Sequence, residues 1–320
     1  MDDLKVGLAQ IAPVWMMREP TLAKVANQIS EAADRGCGLV VFGEALAPGY
    51  PFWLQHTGGA KFNDHDQKTM HAHYLEQAVD IERGDLEVIQ KLCAQRNIAV
   101  TLGAVERPSD RGSHSLYCSL VQIGDDGKIR SVHRKLQPTH EERLVWSPGD
   151  GHGLQVHDQS GFKMGGLNCW ENWMPLARSA LYAQGENLHL ALWPGSPRNT
   201  ERITQFIAQE SRSFVVSVSA LLRASDIPDN LPMTDQMRDI VAKNGPLARG
   251  GSCVAGPDGQ WLLPPVVDEE GLFTVNLDLA EVRKERQNFD PSGHYSRPDV
   301  TRLVLDRARQ STLSFTDETD

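Results

Sequence analysis

Three side chains that could act together in covalent chemistry each follow a predicted β-strand. Glu44 follows the apolar run 39–42, Lys135 follows a strand predicted over 128–134, and Cys169 ends a strand that begins at Phe162. A thiol has an ordinary pKa of ~8.5 and needs a base to form thiolate at neutral pH. A carboxylate whose pKa is raised by burial can be that base, and an ammonium can stabilise a developing anion. The three residue types therefore predict nucleophilic catalysis by Cys169.

Cys169 lies at a predicted strand-to-helix junction, which fixes the direction of its sulfur. Leu167 and Cys169 share one face of the strand because side chains alternate, and Pro175 suits the first position of a helix that ends near Gly185. The dipole of a nearby helix modestly favours thiolate. On this stretch alone, a small buried core cysteine is the commoner interpretation. The case for catalysis therefore depends on the rest of the chain.

The elements that position these residues alternate between strands and helices, which predicts an α/β fold. Strands are predicted over 5–14, 39–42, 98–105, 116–123, 128–134, 188–193, 214–222 and 271–277. Turn residues predict hairpins at 125–127 and 257–259. Strand ends at one edge of an α/β sheet converge on one crevice, so we expect Glu44, Lys135 and Cys169 to meet. The polar segment 223–251 is predicted to be a long loop that covers a site or an interface.

Composition excludes several classes of protein. The chain has 320 residues, 23% of them charged, and a net charge of −10, which argues against nucleic acid or an anionic membrane as a partner. We expect a cytoplasmic location, because the sequence shows neither a signal peptide nor an apolar run long enough to span a bilayer. The five scattered cysteines predict thiols, not disulfides. His65, His71 and His73 fit a surface helix better than a metal site, and Cys93 fits a core position.

Three segments resemble the catalytic signatures of the nitrilase superfamily, in the same order along the chain. They are Phe42-Gly-Glu-Ala-Leu-Ala-Pro-Gly-Tyr-Pro51, His133-Arg-Lys-Leu-Gln-Pro-Thr-His-Glu-Glu-Arg143 and Asn168-Cys-Trp-Glu-Asn172. Segments 193–195, 210–216 and 293–299 are also similar, so the resemblance covers nearly the whole chain. It departs at Gly43, at Ser147 in Trp-Ser-Pro-Gly, at Trp173 and at Cys118, where the family often has asparagine. These departures concern substrate range, because every reacting group is present.

The resemblance implies a fold, an assembly and residue roles. It implies an α-β-β-α four-layer sandwich that forms an eight-layer homodimer and then larger oligomers or spirals. A single carbon-nitrogen hydrolase domain would span 1–320, with the tail from about 290 at an interface. Glu44 would be the general base, Lys135 the electrostatic stabiliser, Cys169 the nucleophile and Glu142 a positioning carboxylate, with no cofactor and no metal. The candidates for substrate binding are Tyr50, Trp170, Glu171 and Trp193, for which a packing role is the alternative.

Cys-Trp-Glu at Cys169 is similar to the nitrilase branch of the superfamily. We therefore expect hydrolysis of a small-molecule nitrile by water to a carboxylic acid and ammonia, through a thioimidate and a thioester. Three alternatives remain open at this point. The chain could be an amidase or carbamoyl hydrolase, a nitrilase that degrades cyanide, or a non-catalytic assembly protein whose Cys169 is unreactive.

Overall fold

The structure is a computed structural model that describes residues 3–313. Within that part of the chain the strands are β1 (Asp3–Gln10), β2 (Leu39–Phe42), β3 (Ala99–Glu106), β4 (Tyr117–Ile123), β5 (Ile129–Arg134), β6 (His157–Gln159), β7 (Phe162–Asn168), β8 (Leu188–Trp193), β9 (Phe214–Ser219), β10 (Leu221–Leu222), β11 (Ala248–Ala255), β12 (Trp261–Val267) and β13 (Gly271–Asp278). The α-helices are α1 (Arg18–Asp34), α2 (Trp53–His56), α3 (His65–Gln77), α4 (Glu87–Arg96), α5 (Pro175–Tyr182), α6 (Pro197–Ser211), α7 (Thr234–Asn244) and α8 (Leu279–Glu285). The predicted α/β class is confirmed.

The strands form two mixed sheets. The six-stranded sheet has the order β13-β1-β2-β3-β4-β5, and the seven-stranded sheet has the order β10-β11-β9-β8-β7-β6, with β12 paired to β11. Strands β1 to β3 run parallel, as do β7 to β9. Both predicted hairpins are present, because β4 pairs with β5 and β11 pairs with β12 in antiparallel fashion.

The two sheets pack face to face, and helices cover their outer faces. Side chains alternate along β1 and β2, so Leu8 and Val41 point into the core between the sheets. Ala9 and Phe42 point the other way, into a core shared with α1 and α4. Helices α5 and α6 cover the second sheet. The layers therefore run helix, sheet, sheet, helix, while the eight-layer dimer stays a prediction.

The segment predicted as a long loop over 223–251 contains a helix, so that prediction was wrong. Helix α7 is mostly polar, and it has too few apolar residues for their spacing to predict a helix. Met237 and Val241 lie four residues apart on one face and are buried in a cluster with Trp53 and Leu222. Contacts with distant parts of the chain stabilise this helix, and a local pattern does not reveal them.

After α8 the described chain continues to Leu313 without a further helix or strand. Arg309 forms an ion pair with Asp150 at 2.9 Å and donates a hydrogen bond to the carbonyl of Val132. The single domain over 1–320 and the interface role of the tail from about 290 stay predictions, and 1–2 and 314–320 lie outside the described residues. None of the described helices combines the length and apolar character that crossing a membrane requires.

Candidate active site

The two sheets bring the predicted reactive groups together. Glu44 lies two residues after β2, Lys135 directly follows β5, and Cys169 directly follows β7 of the other sheet. The Nζ atom of Lys135 is 2.8 Å from Glu44 Oε1 and 2.8 Å from Glu142 Oε2. One oxygen of each carboxylate and the Cys169 Sγ atom lie within 4.8 Å of one another. All four side chains are buried.

Glu44 is held by its backbone and by one of its two carboxylate oxygens. Its N–H donates to the carbonyl of Trp193, which belongs to the other sheet. A side chain at Gly43 would come within 2.9 Å of the Ala220 nitrogen, so glycine at this position permits the close approach of the two backbones. Glu44 Oε1 accepts from Lys135 and, at 3.4 Å, from the Cys118 thiol. Oε2 is buried without a hydrogen-bond partner among the described residues, so it is free to accept a proton.

Burial and mutual charge set the protonation of the cluster. Burial, reinforced by the nearby charge of Glu142, raises the pKa of Glu44 to about 7, although Lys135 opposes the shift. Burial and the Glu44 charge raise the pKa of the Cys169 thiol well above its usual range. Burial alone would lower the pKa of Lys135, but the charges of Glu44, Cys169 and Glu142 outweigh it and raise that pKa. At neutral pH the site therefore holds a thiol, an ammonium and a base close to its own pKa.

Glu142 fixes the lysine. It lies in a 3₁₀ helix, His140–Leu144, where its Oε2 accepts from the Thr139 N–H in a capping box. The same oxygen accepts from Lys135, and Oε1 accepts from the Tyr50 hydroxyl at 2.7 Å. With three donors in place, Glu142 is well suited to orient the ammonium.

The two carboxylates and the thiol also make a donor set of the kind that ligates metal ions. The Lys135 ammonium lies within hydrogen-bonding distance of both carboxylates, so it occupies the place that a cation would take between them. We therefore assign the positive charge of this cluster to Lys135.

Cys169 occupies a strained position that aims its sulfur. Its φ of 50° lies in the left-handed region, which costs a residue with a side chain about 1–3 kcal/mol. The Asn172 side chain holds this turn by donating to the carbonyls of Cys169, at 2.9 Å, and of Leu167. Asn172 Oδ1 in turn lies 2.8 Å from His189 Nε2, and the other ring nitrogen of His189 lies 3.0 Å from a buried oxygen of Glu186.

Comparison with known proteins identifies the family of the chain. Residues 5–287 match the carbon-nitrogen hydrolase family. The chain belongs to that family. An aliphatic nitrilase from Rhodococcus rhodochrous is 33% identical over 326 residues, which cover 97% of this chain and 84% of that protein. An arylacetonitrilase from Aspergillus kawachii is 34% identical, covering 95% of this chain and 92% of its own. The solved structure of a carbon-nitrogen hydrolase from Helicobacter pylori has a TM-score of 0.69 at 20% identity, covers 94% of this chain and 100% of that one, and shows the fold.

In this carbon-nitrogen hydrolase the four candidates for substrate binding lie in different surroundings. Tyr50 touches Glu142 and lines a cavity beside Glu44, whereas Trp193 is fully buried and donates through Nε1 to Ser217. Trp170 is half exposed and lies near Trp173, with ring centroids 6.1 Å apart. Glu171 is buried, and both of its oxygens accept hydrogen bonds from protein groups. Substrate contacts of all four stay predictions.

No role in the site was predicted from the sequence for several residues that build this carbon-nitrogen hydrolase site. Cys118 touches the Glu44 carboxylate, His133 touches Glu171, and Asn172 and His189 hold the Cys169 turn. The sequence could have indicated His133, because it stands two residues before Lys135 and so shares its strand face. Cys118 and His189 lie at ordinary buried strand positions, so only their tertiary neighbours distinguish them.

Proposed function

We propose that the chain is a nitrilase that hydrolyses an organic nitrile to the carboxylic acid and ammonia through a covalent bond to Cys169. One observation carries the proposal: a buried carboxylate with a free oxygen, a bound ammonium and a thiol lie together at the ends of strands. The aliphatic nitrilase and the arylacetonitrilase, both about one-third identical over nearly the whole chain, support the nitrilase branch.

In the first half of the proposed reaction, Glu44 Oε2 takes the proton of the Cys169 thiol while the sulfur attacks the nitrile carbon. One C–N π bond breaks and Glu44 passes the thiol proton on to the nitrogen, which gives a thioimidate and restores the Glu44 carboxylate. Lys135 is placed to stabilise the charge that develops on nitrogen, since Glu44 and Glu142 hold its ammonium in place. The raised pKa of Glu44, which burial causes, lets it take and return protons near neutral pH.

In the second half, water activated by Glu44 adds to the thioimidate carbon, and the tetrahedral intermediate expels ammonia to leave a thioester. A second water releases the acid and restores the thiol, so two waters are consumed for each nitrile. If the tetrahedral intermediate expels the sulfur before ammonia leaves, the product is the amide. Every step needs only nucleophilic and acid/base groups that this cluster contains.

A small cavity with a mostly apolar lining lies beside Glu44. It has a volume of about 10 Å³, close to that of one water site, and is lined by Pro13, Trp15, Glu44, Leu46, Tyr50, Phe52, Pro194, Ala220, Leu221 and Leu222. In this lining the only ionisable groups are the carboxylate of Glu44 and the hydroxyl of Tyr50. Cys169 and Lys135 are not among the residues that line this cavity, so its size describes the surroundings of Glu44 and leaves the nitrile open.

The second candidate function is an amidase. The thioester half of the reaction is the same for amides and nitriles, so the cluster would serve both. A crystallised amidase from Nesterenkonia sp. AN1 has a TM-score of 0.64 at 17% identity, which speaks for a shared fold and leaves the substrate open.

Ammonia release from matched nitriles and amides tests the proposal, with the wild type beside Cys169→Ala. We expect ammonia and acid from at least one short nitrile, and no product from the variant. Turnover of amides without nitriles would assign the amidase function. No turnover of either, together with a Cys169 thiol that resists alkylation, would favour an assembly protein.

We also propose that the protein forms a homodimer through the side that carries α5. Large apolar side chains are exposed there and on neighbouring segments: Trp170, Trp173, Met174, Leu176 and Phe206. A groove of about 680 Å³ lies between α5 and the tail segment 291–303. A cluster of exposed apolar side chains of this kind is typical of an interface. Light scattering tests the assembly, with Leu176→Lys expected to shift the protein to monomer.

A further inference from the structure

Glu171 connects the two segments that carry Lys135 and Cys169. Its Oε1 accepts from the N–H of Leu136, the residue that follows Lys135, at 2.8 Å. Its Oε2 accepts from the N–H of Asn168, the residue that precedes Cys169, at 3.0 Å. These two segments extend from strands of different sheets, β5 and β7. One carboxylate therefore links the two sheets at the point where each supplies a reacting group.

His133 completes this link. Its Nε2 lies 3.0 Å from both oxygens of Glu171, and both side chains are buried. An ionised carboxylate only accepts hydrogen bonds, so the His133 proton that faces it must be on Nε2. Burial alone would raise the pKa of Glu171, but His133 and the two backbone N–H groups outweigh it and lower that pKa. Glu171 is therefore ionised and buried, and both of its oxygens accept from protein donors, which favours a structural role over contact with a substrate.

We propose that Glu171 and His133 form a positioning pair that sets the distance between the Lys135 ammonium and the Cys169 sulfur, in place of a role in substrate binding. The physical reason is geometric, because a displacement of about 1 Å between reacting groups can cost about a hundredfold in rate. The proposal rests on the proposed function only where it uses turnover as a readout.

Glu171→Gln is the direct test, because the amide keeps the shape but replaces one acceptor oxygen with an NH₂ group. That group faces either the Leu136 or the Asn168 N–H, so one of the two links is lost. We expect kcat for a nitrile to fall at least about tenfold, with KM changed by less than about threefold. Glu201→Gln, an exposed glutamate on α6, is the matched control and should leave both constants unchanged.

A second readout is independent of nitrile turnover. The rate at which iodoacetamide alkylates Cys169 depends on the distance of the sulfur from Glu44 and Lys135. This rate is measured by mass spectrometry of the intact protein. We expect Glu171→Gln to slow this alkylation at least about fivefold relative to Glu201→Gln. If the wild type alkylates rapidly but hydrolyses no nitrile, the proposed function fails, and alkylation in the two variants still tests the positioning pair.

Two results would overturn the proposal. If Glu171→Gln raises KM but leaves kcat and the alkylation rate unchanged, Glu171 contacts the substrate. If kcat, KM and the alkylation rate are all unchanged, the link between the Lys135 and Cys169 segments does not affect catalysis. If Glu171→Gln does not fold, a comparison of His133→Gln with His133→Leu tests the positioning pair instead. Glutamine keeps an N–H donor and leucine removes it, so we expect the glutamine variant to retain at least about fivefold more activity and faster alkylation. Equal behaviour of the two His133 variants would refute the pair.

Discussion

The charge of Glu142 should contribute to the pH dependence of this enzyme by raising the pKa of Glu44 beyond the effect of burial. With the pKa of Glu44 raised by burial to about 7, the base form makes up about 9% of the enzyme at pH 6 and about 1% at pH 5. For an unshifted glutamate, with a pKa of 4.5, about three-quarters would be in the base form at pH 5. We therefore expect kcat/KM to fall about tenfold per pH unit below 7. Neither Lys135 nor the Cys169 thiol titrates in that range, because the pKa of each is raised well above its usual value.

Glu142→Gln removes the like charge that helps to raise the pKa of Glu44. The sign follows directly: an ionised Glu44 is less unfavourable without a second carboxylate, so its pKa falls and the base form persists to lower pH. One oxygen of Glu44 and one of Glu142 lie within 4.8 Å of each other. At that distance, with an effective dielectric constant of ~20, the repulsion between the two carboxylates is about 3.5 kcal/mol, which corresponds to a shift of about 2.5 pKa units. Local relaxation reduces this value, so we expect the acid limb to move down by about one to two pH units.

The assay is kcat/KM for one nitrile between pH 4.5 and 9, with each profile normalised to its own plateau. Normalisation matters because Glu142→Gln also loosens Lys135 and lowers the plateau itself. Glu141→Gln is the matched control, since it removes the adjacent carboxylate, whose partner is the exposed His140 outside the cluster. The reasoning is refuted if the acid limb of Glu142→Gln stays in place or moves up, or if that of Glu141→Gln moves equally.

Three further predictions concern residues around the cluster. Cys118→Ala removes the thiol that donates to Glu44 Oε1, so the acid limb should move up by about half a pH unit, measured in the same profile. Phe52→Ala should enlarge the cavity beside Glu44 and raise kcat/KM for longer nitriles relative to propionitrile at least about fivefold; an unchanged ratio across the series would contradict this. Asn172→Ala should lower kcat about ten- to a hundredfold, because the strained turn at Cys169 loses the hydrogen bonds from the Asn172 side chain. Full activity of this variant would show that the turn keeps its conformation without them.

Most of the strands and helices, and the candidate reacting residues that the structure brings together, could be predicted from the sequence. A continuous apolar run predicts β2 and a hairpin turn signal predicts β5, and the residues that follow these strands, Glu44 and Lys135, are of types that the proposed chemistry requires. Helix α7 was missed, because its few buried residues pack against Trp53, almost two hundred residues away. A local pattern records the period of an element, whereas such packing depends on residues far apart in the chain.

The tertiary structure decided how the reacting groups are arranged. Sequence reasoning expects strand ends of one sheet to converge, yet Cys169 comes from the second sheet and meets Glu44 and Lys135 across the interface between the sheets. It also decided the role we infer for Glu171, which by residue type alone could as well bind substrate. The N–H groups of Leu136 and Asn168 each donate to one of its oxygens, and only the packing of the two sheets brings those donors together. The types of the reacting groups are local properties of the chain, whereas their distances, burial and pKa values follow from which segments pack against each other.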